Sequence, residues 1–348
     1  MTKDNVDSSS EVLALDDPRT PHILAARRFK DMQADGDPAS IGRATTLATQ
    51  YLDALPADQK PFATRVMCFR ASCLAKMRLV DLAITEYQQI QRDYNYAPAF
   101  TACGHLYIGK GNIREAEKLF RAALTADGFD KKGAAVAYNG LGYVCLLTTR
   151  LEESEQYYRK TLEFDANSTQ AINGIASSLL RKPADAKISM ANAQEAEAML
   201  IERYKQDEQK GIENINPKTA ILIGLATLTT GNTEWRRKVT PIIAVTAKDN
   251  YGKRILKRIL AMDPDMSEQV FRLLIQRGAI KGSFNKETKL NLSVLAAQYF
   301  GTEEKSGAKD AGDLSIAELA LEVIAASDTQ AATGAGARGR NGSSTRKK

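Results

Sequence analysis

Histidine, cysteine and tryptophan are scarce in this chain of 348 residues, which holds two, four and one of them. His22 and His105 lie too far apart in sequence to suggest a histidine-rich metal site. The side chain that titrates nearest neutral pH is therefore missing from most conceivable acid–base centres. The cysteines, Cys68, Cys73, Cys103 and Cys145, form no C-x2-C pair and complete no four-ligand zinc pattern. Each lies in an apolar or helical stretch and reads as a buried free thiol. No apolar run approaches the ~18 residues that a membrane span needs. The opening MTKDNVDSSSEVLALDD mixes acids among short apolar pieces, unlike a signal peptide, so a cytoplasmic location is expected. The motifs GxxxxGK[ST], HExxH and GxSxG are missing. Gly334, Gly336 and Gly339 have GxGxxG spacing but no preceding strand, and so predict no nucleotide site. The expectation is no catalytic residue, no metal and no cofactor.

Charge is present, and unevenly placed. Lys and Arg number 48 against 42 Asp and Glu, a net of +6. Residues 236–289 hold 13 basic and five acidic residues, and residues 329–348 hold five basic and none acidic. The rest of the chain therefore carries −7. The tail TQAATGAGARGRNGSSTRKK has no large apolar residue to offset its ordering entropy and is expected to be disordered, as are residues 1–20. Residues 302–328 read as a linker followed by an amphipathic helix, DLSIAELALEVIAAS.

Strand signals are nearly absent between residues 60 and 205. A pattern recurs there every 33–38 residues. One copy is Phe100, Cys103-Gly104, Tyr107, Gly111, Ala116, Phe120 and Ala123. The next is Tyr138, Leu141-Gly142, Cys145, Ser154, Tyr158 and Thr161, and the preceding one is Met67, Arg70-Ala71, Leu74, Ala83, Tyr87 and Ile90. Large residues three apart make one face of a first helix, A. The small residue between them lets a second helix, B, approach closely. An Ala at the start of B, with an aromatic four residues later, interlocks with helix A and with the next copy's helix A. One such hairpin cannot bury its own apolar face, so copies must stack.

This pattern resembles the tetratricopeptide repeat (TPR) at 64–96, 97–130 and 135–168. It departs where Arg70 and Cys103 hold Leu positions and where Gly128 and Ala166 stand in place of Pro. Ala44, Ala48, Tyr51 and Pro56 keep the helix-B spacing of an earlier degenerate unit. Ile175-Ala176, Leu200 and Ile223-Gly224 suggest weaker units after it. The resemblance implies an all-α, right-handed superhelical solenoid of helix-turn-helix repeats over 21–235. A basic helical segment, 236–301, would follow as a C-terminal extension.

The resemblance also implies a concave groove made by the A helices. Its groove-facing positions fall on Arg65, Ser72, Lys76, Thr101, His105, Asn139, Tyr143, Gln170, Asn173, Ser177 and Arg181. An Asn amide both donates and accepts, and so can pair with a peptide backbone of any sequence. Arg65, Lys76 and Arg181 could hold a carboxylate. Polar residues also line any solvated concave face, so two readings stand side by side.

In GKRILKRILAM, Ile255, Leu256, Ile259 and Leu260 share one face, with Lys253, Arg254, Lys257 and Arg258 largely opposite and Arg236 and Arg237 upstream. These six basic residues fit a solvated outer face, an acidic protein partner, or a polyanion such as nucleic acid or an anionic membrane surface. The expected function is a non-catalytic interaction scaffold or chaperone that binds protein or peptide segments. Pilus, flagellar or secretion assembly is one setting for it, with self-association possible in principle. A nucleic-acid-associated or regulatory role through 236–289 is the alternative.

Overall fold

The computed structural model of the chain describes residues 17–33, 36–182, 186–246, 250–281 and 292–300. Expectations for residues 1–16 and 302–348 lie outside the described residues. The described residues form an all-α fold with no strand among them, and an isolated bridge joins Tyr96 and Asp127. The chain divides into two compact units at Gly133/Ala134, between the second and third clear repeats.

The first unit contains α1 (Thr20–Asp31), α2 (Pro38–Asp53), α3 (Thr64–Lys76), α4 (Val80–Tyr94), α5 (Ala97–Gly109) and α6 (Ile113–Ala123). The second contains α7 (Lys131–Leu147), α8 (Leu151–Phe164), α9 (Thr169–Arg181), α10 (Ala186–Gln209) and α11 (Pro217–Thr230). It continues through α12 (Thr233–Thr246), α13 (Asn250–Met262), α14 (Met266–Gln276) and α15 (Leu292–Phe300).

Helix starts are written in local chemistry. Asp37, Asn112, Ser168 and Asn216 each accept a backbone N–H of the first turn through a side-chain oxygen, at 2.9–3.4 Å. The stops between A and B helices repeat as well. Leu79, Asn112 and Arg150 donate their backbone N–H to Leu74, Tyr107 and Cys145, each at 2.9 Å. The residue just before each donor is left-handed: Arg78 (φ 65°), Gly111 (φ 76°) and Thr149 (φ 59°). This is the Schellman stop, three times over.

The pattern residues are the core. Ala83, Ala116, Phe120, Ala123, Ser154 and Thr161 are all essentially inaccessible, and Tyr87 and Tyr158 nearly so. The small residues leave the space that these aromatics occupy. A Cβ on Gly104 would lie 3.0 Å from the Phe120 ring. Tyr158 is held from two sides: a Cβ on Gly142 would sit 3.0 Å from its ring, and one on Gly174 of the following helix 2.3 Å. Tyr158 therefore locks α8 against both α7 and α9. Gly128, in a position often occupied by Pro, has φ 69° and carries the Tyr96 ring where a Cβ would be, at 2.6 Å.

The degenerate first unit forms as α1 and α2, with Ala44 and Ala48 buried beside Phe69 and Cys73 of α3. In the second unit one apolar cluster runs from Leu146 through α9–α12 and includes Ile255, Leu256 and Ile259 of α13. The apolar face expected in GKRILKRILAM is thus buried.

Candidate functional site

The groove positions fall into three groups. In the first unit, Lys76 is exposed and its Nζ donates to Gln33 Oε1 at 3.0 Å. His105 is exposed and sits edge-on to Phe120, with ring centroids 5.0 Å apart. Arg65 is half-buried in a small cleft of about 110 Å³ that also includes Phe62, Tyr96 and Phe129. Ser72 and Thr101 turn back on their own helices, donating to the carbonyls of Phe69 (2.7 Å) and Pro98 (3.1 Å).

In the second unit, Asn139 of α7 and Gln170 at the start of α9 meet. Asn139 Nδ2 lies 3.5 Å from Gln170 Oε1, at the outer limit of a hydrogen bond. Asn139 Oδ1 is buried and has no hydrogen-bond partner among the described residues. Gln170 is exposed, and Tyr143, one helical turn beyond Asn139, is half-buried.

The third group is internal. Asn173, Ser177 and Arg181 are 2%, 0% and 7% exposed. Asn173 Oδ1 accepts from Thr219 Oγ1 of α11 at 3.1 Å, and Ser177 Oγ donates to the Asn173 carbonyl at 2.7 Å. Arg181 donates to the Leu146 carbonyl at 2.7 Å, and burial lowers its affinity for its proton. In this repeat Asn173 is turned against α11 and Arg181 against the end of α7, while Gln170 at its start stays exposed.

The six basic residues also separate. Arg236 is 4% exposed and donates to the Thr227 carbonyl at 2.7 Å, tying α12 to the end of α11, so it is no surface residue. Arg237 grips Asp263 with two hydrogen bonds of 2.7 and 3.0 Å. That pairing holds the Asp263 carboxyl below its ordinary range. Lys253 donates to the Tyr299 carbonyl at 3.1 Å and lies over that ring at 4.7 Å. Arg254 and Arg258 are half-buried, Lys257 is exposed, and all three make contacts of their own.

Other ionisable groups read as structure. Burial pushes the thiols of Cys68 and Cys73 up, and that of Cys103 to about 11. His22 is 3% exposed, has Nδ1 2.8 Å from the Tyr51 hydroxyl, and is lowered by burial. Among the described residues no group of His, Cys, Asp or Glu could hold a metal ion. No described helix is long and apolar enough to cross a membrane.

A buried acid that the sequence did not single out is Glu197 on α10, 6% exposed beside the α11–α12 turn. The only sequence signal was a Glu whose neighbours one helical turn away, Ala193 and Ile201, carry no charge.

A family model of the tetratricopeptide repeat matches residues 97–130 and 135–168. A sequence relative is the uncharacterized protein ycf37 of Cyanophora paradoxa. It is 33% identical over 96 residues, or 26% of this chain and 52% of that protein. The chain thus spans about half the length of that curated relative. Among solved structures, the chain is similar to one from a functional characterization of Pseudomonas aeruginosa pilF. The TM-score is 0.53, with 13% identity over 71% of this chain and 99% of that one. It is also similar to the apo form of RapI, with TM-score 0.51, 11% identity, and coverage of 89% and 86%. At these identities the likeness concerns the fold. The fold is one that serves in general as a scaffold for protein–protein interaction. The repeat pattern, the Gly–aromatic packing and the matched segments agree: residues 97–130 and 135–168 are tetratricopeptide repeats.

Proposed function

We propose that this protein is a non-catalytic scaffold or chaperone that holds a segment of a partner protein on the A-helix faces of its repeats. In the second unit, Asn139 and Gln170 are the centre of the contact and Tyr143 its apolar neighbour. The first unit, taken by itself, offers a separate stretch at Arg65, Lys76 and His105. The observation that carries the reading is the Asn139 amide. Among the described residues its carbonyl has no partner, and its amino group is stretched to Gln170. A buried acceptor without a donor costs about 1–3 kcal/mol. A modest side-chain shift that exposes it lets a backbone N–H of a bound segment recover that cost. Gln170 is positioned to pair with the next peptide group, and such pairing is indifferent to the segment's side chains.

A cytoplasmic setting and a role in assembling pili, flagella or secretion machinery are the narrower form of this proposal, resting on how such scaffolds are commonly employed. The alternative through residues 236–289 has less to stand on, because Arg236 is internal and Arg237 is committed to Asp263.

The test is affinity capture from the source cells with wild type, Asn139→Ala/Gln170→Ala, and charge reversal of Lys253, Arg254, Lys257 and Arg258. A protein partner that is retained by the charge-reversed chain and lost by the amide double variant supports the groove. Loss with the charge reversal alone moves the function to the basic segment.

A further inference from the structure

The turn between α11 and α12 does more than end one helix and begin another. Asn232 follows the left-handed Gly231 (φ 76°), and its Oδ1 accepts the Trp235 N–H at 3.2 Å, capping α12. With Oδ1 so engaged, the orientation of the amide is fixed, and Nδ2 donates across to Glu197 Oε1 on α10. Glu197 is 94% buried, yet among the described residues this neutral amide is its partner and no cation is paired with it.

The same helix treats its other buried carboxylate differently. Asp207, 4% exposed, is paired with Arg203 one turn away, and Arg203 also donates to the Asn167 carbonyl at 3.0 Å. The residues one turn either side of Glu197 are Ala193 and Ile201, which supply no charge. Neighbouring Glu195 is paired with Arg159 at 2.8 Å. A buried carboxylate without a cation is costly to the free protein, and that cost is recovered when a cation arrives with good geometry.

There is room for one. Glu197 and Asn232 line an open pocket of about 340 Å³ together with Gln194, Ala198, Ile201 and Thr230. That volume is at the small end of ligand sites. Ala198 and Ile201 offer wall for a methylene chain, and Gln194 and Thr230 offer further acceptors. We propose that this pocket receives the cationic end of a lysine or arginine side chain from a partner protein, with Glu197 as its counter-ion. The site shares no residue with the amide pair at Asn139 and Gln170, so either proposal can fail without the other.

The test is an NMR titration of the full chain with N-acetyl-lysine methylamide and its arginine counterpart, using the norleucine derivative as the uncharged control. The Asn232 side-chain NH2 and the Glu197 and Thr230 backbone amides are the reporters. Both cationic ligands are expected to shift them, and norleucine to bind at least about tenfold more weakly. Glu197→Gln keeps the acceptor for Asn232 and removes the charge. It is expected to lose the lysine response and to raise the thermal midpoint of the free protein. Equal shifts from norleucine, no shift at millimolar ligand, or an undiminished response in Glu197→Gln would each overturn the proposal. A lowered midpoint in Glu197→Gln would also overturn it, because the carboxylate would then be serving the fold.

Discussion

Thr149 and Gly111 occupy equivalent stops, both left-handed, one with a β-branched side chain and one with none. An L-residue there costs about 1–2 kcal/mol, partly offset by the extra entropy that Gly loses on folding. Thr149→Gly is therefore expected to stabilise the protein by about 0.5 kcal/mol. Gly111→Ala should destabilise it by about 1 kcal/mol, although nothing lies near enough to clash with the new Cβ. Urea midpoints of the two variants check both signs. His22 gives a pH dependence at the same scale. Burial depresses its folded-state pKa below the ordinary 6.5, so the unfolded chain binds the proton more readily on acidification. Its contribution is present above pH 6.5 and is lost as pH falls. Unfolding midpoints measured at pH 7 and pH 5 should show a drop that is smaller in His22→Gln. At the alkaline end the buried Cys103 thiol, raised from 9.0 to about 11, acts oppositely: its contribution is present below pH 9 and lost as pH rises toward 11.

Between elements, the working unit is an aromatic of helix B placed over small residues of the A helices on both sides. Tyr158 between Gly142 and Gly174 is the clearest case. Gly174→Ala forces a Cβ to 2.3 Å from that ring and is expected to cost about 1–3 kcal/mol. At Gly142 the contact is 3.0 Å, and the better helix propensity of Ala, worth about 1 kcal/mol, brings the change near neutral. Equilibrium unfolding of the two variants should rank them in that order, and the reverse order would show that Tyr158 is not the lock. This part of the architecture was legible in the sequence because it is local: a Gly and an aromatic at fixed spacing in one hairpin need no distant information. Ile255, Leu256 and Ile259 were legible for the same reason, through helical periodicity alone. The groove was less so. Whether Asn173, Ser177 and Arg181 face solvent depends on where α11 packs, and Thr219 of that helix covers Asn173 from 46 residues away. Arg236 read as one of a basic cluster, but it is buried because the α11 end offers its guanidinium a carbonyl. Glu197 gave little signal, since Asn232 meets it only through the packing of α10 on the α11–α12 turn.

At the scale of the whole molecule, function rests on which surfaces remain open after the repeats have packed. Two clear repeats match the family, and the pairing of helices continues beyond them to α11 and α12. Arg181 ties the end of α9 to that of α7, and Arg236 ties α12 to α11. This directs binding away from the internal part of the fourth repeat and toward Asn139, Tyr143 and the exposed Gln170 at that repeat's start. The most direct test places a photo-crosslinking amino acid at Gln170, with a second chain labelled at Glu163 on the exposed side of α8 as control. Irradiation in the source cells should join position 170, and not position 163, to one discrete protein, and Asn139→Ala should abolish that product. A product formed equally from both positions, or none from position 170, would contradict the claim that the A-helix face carries the function.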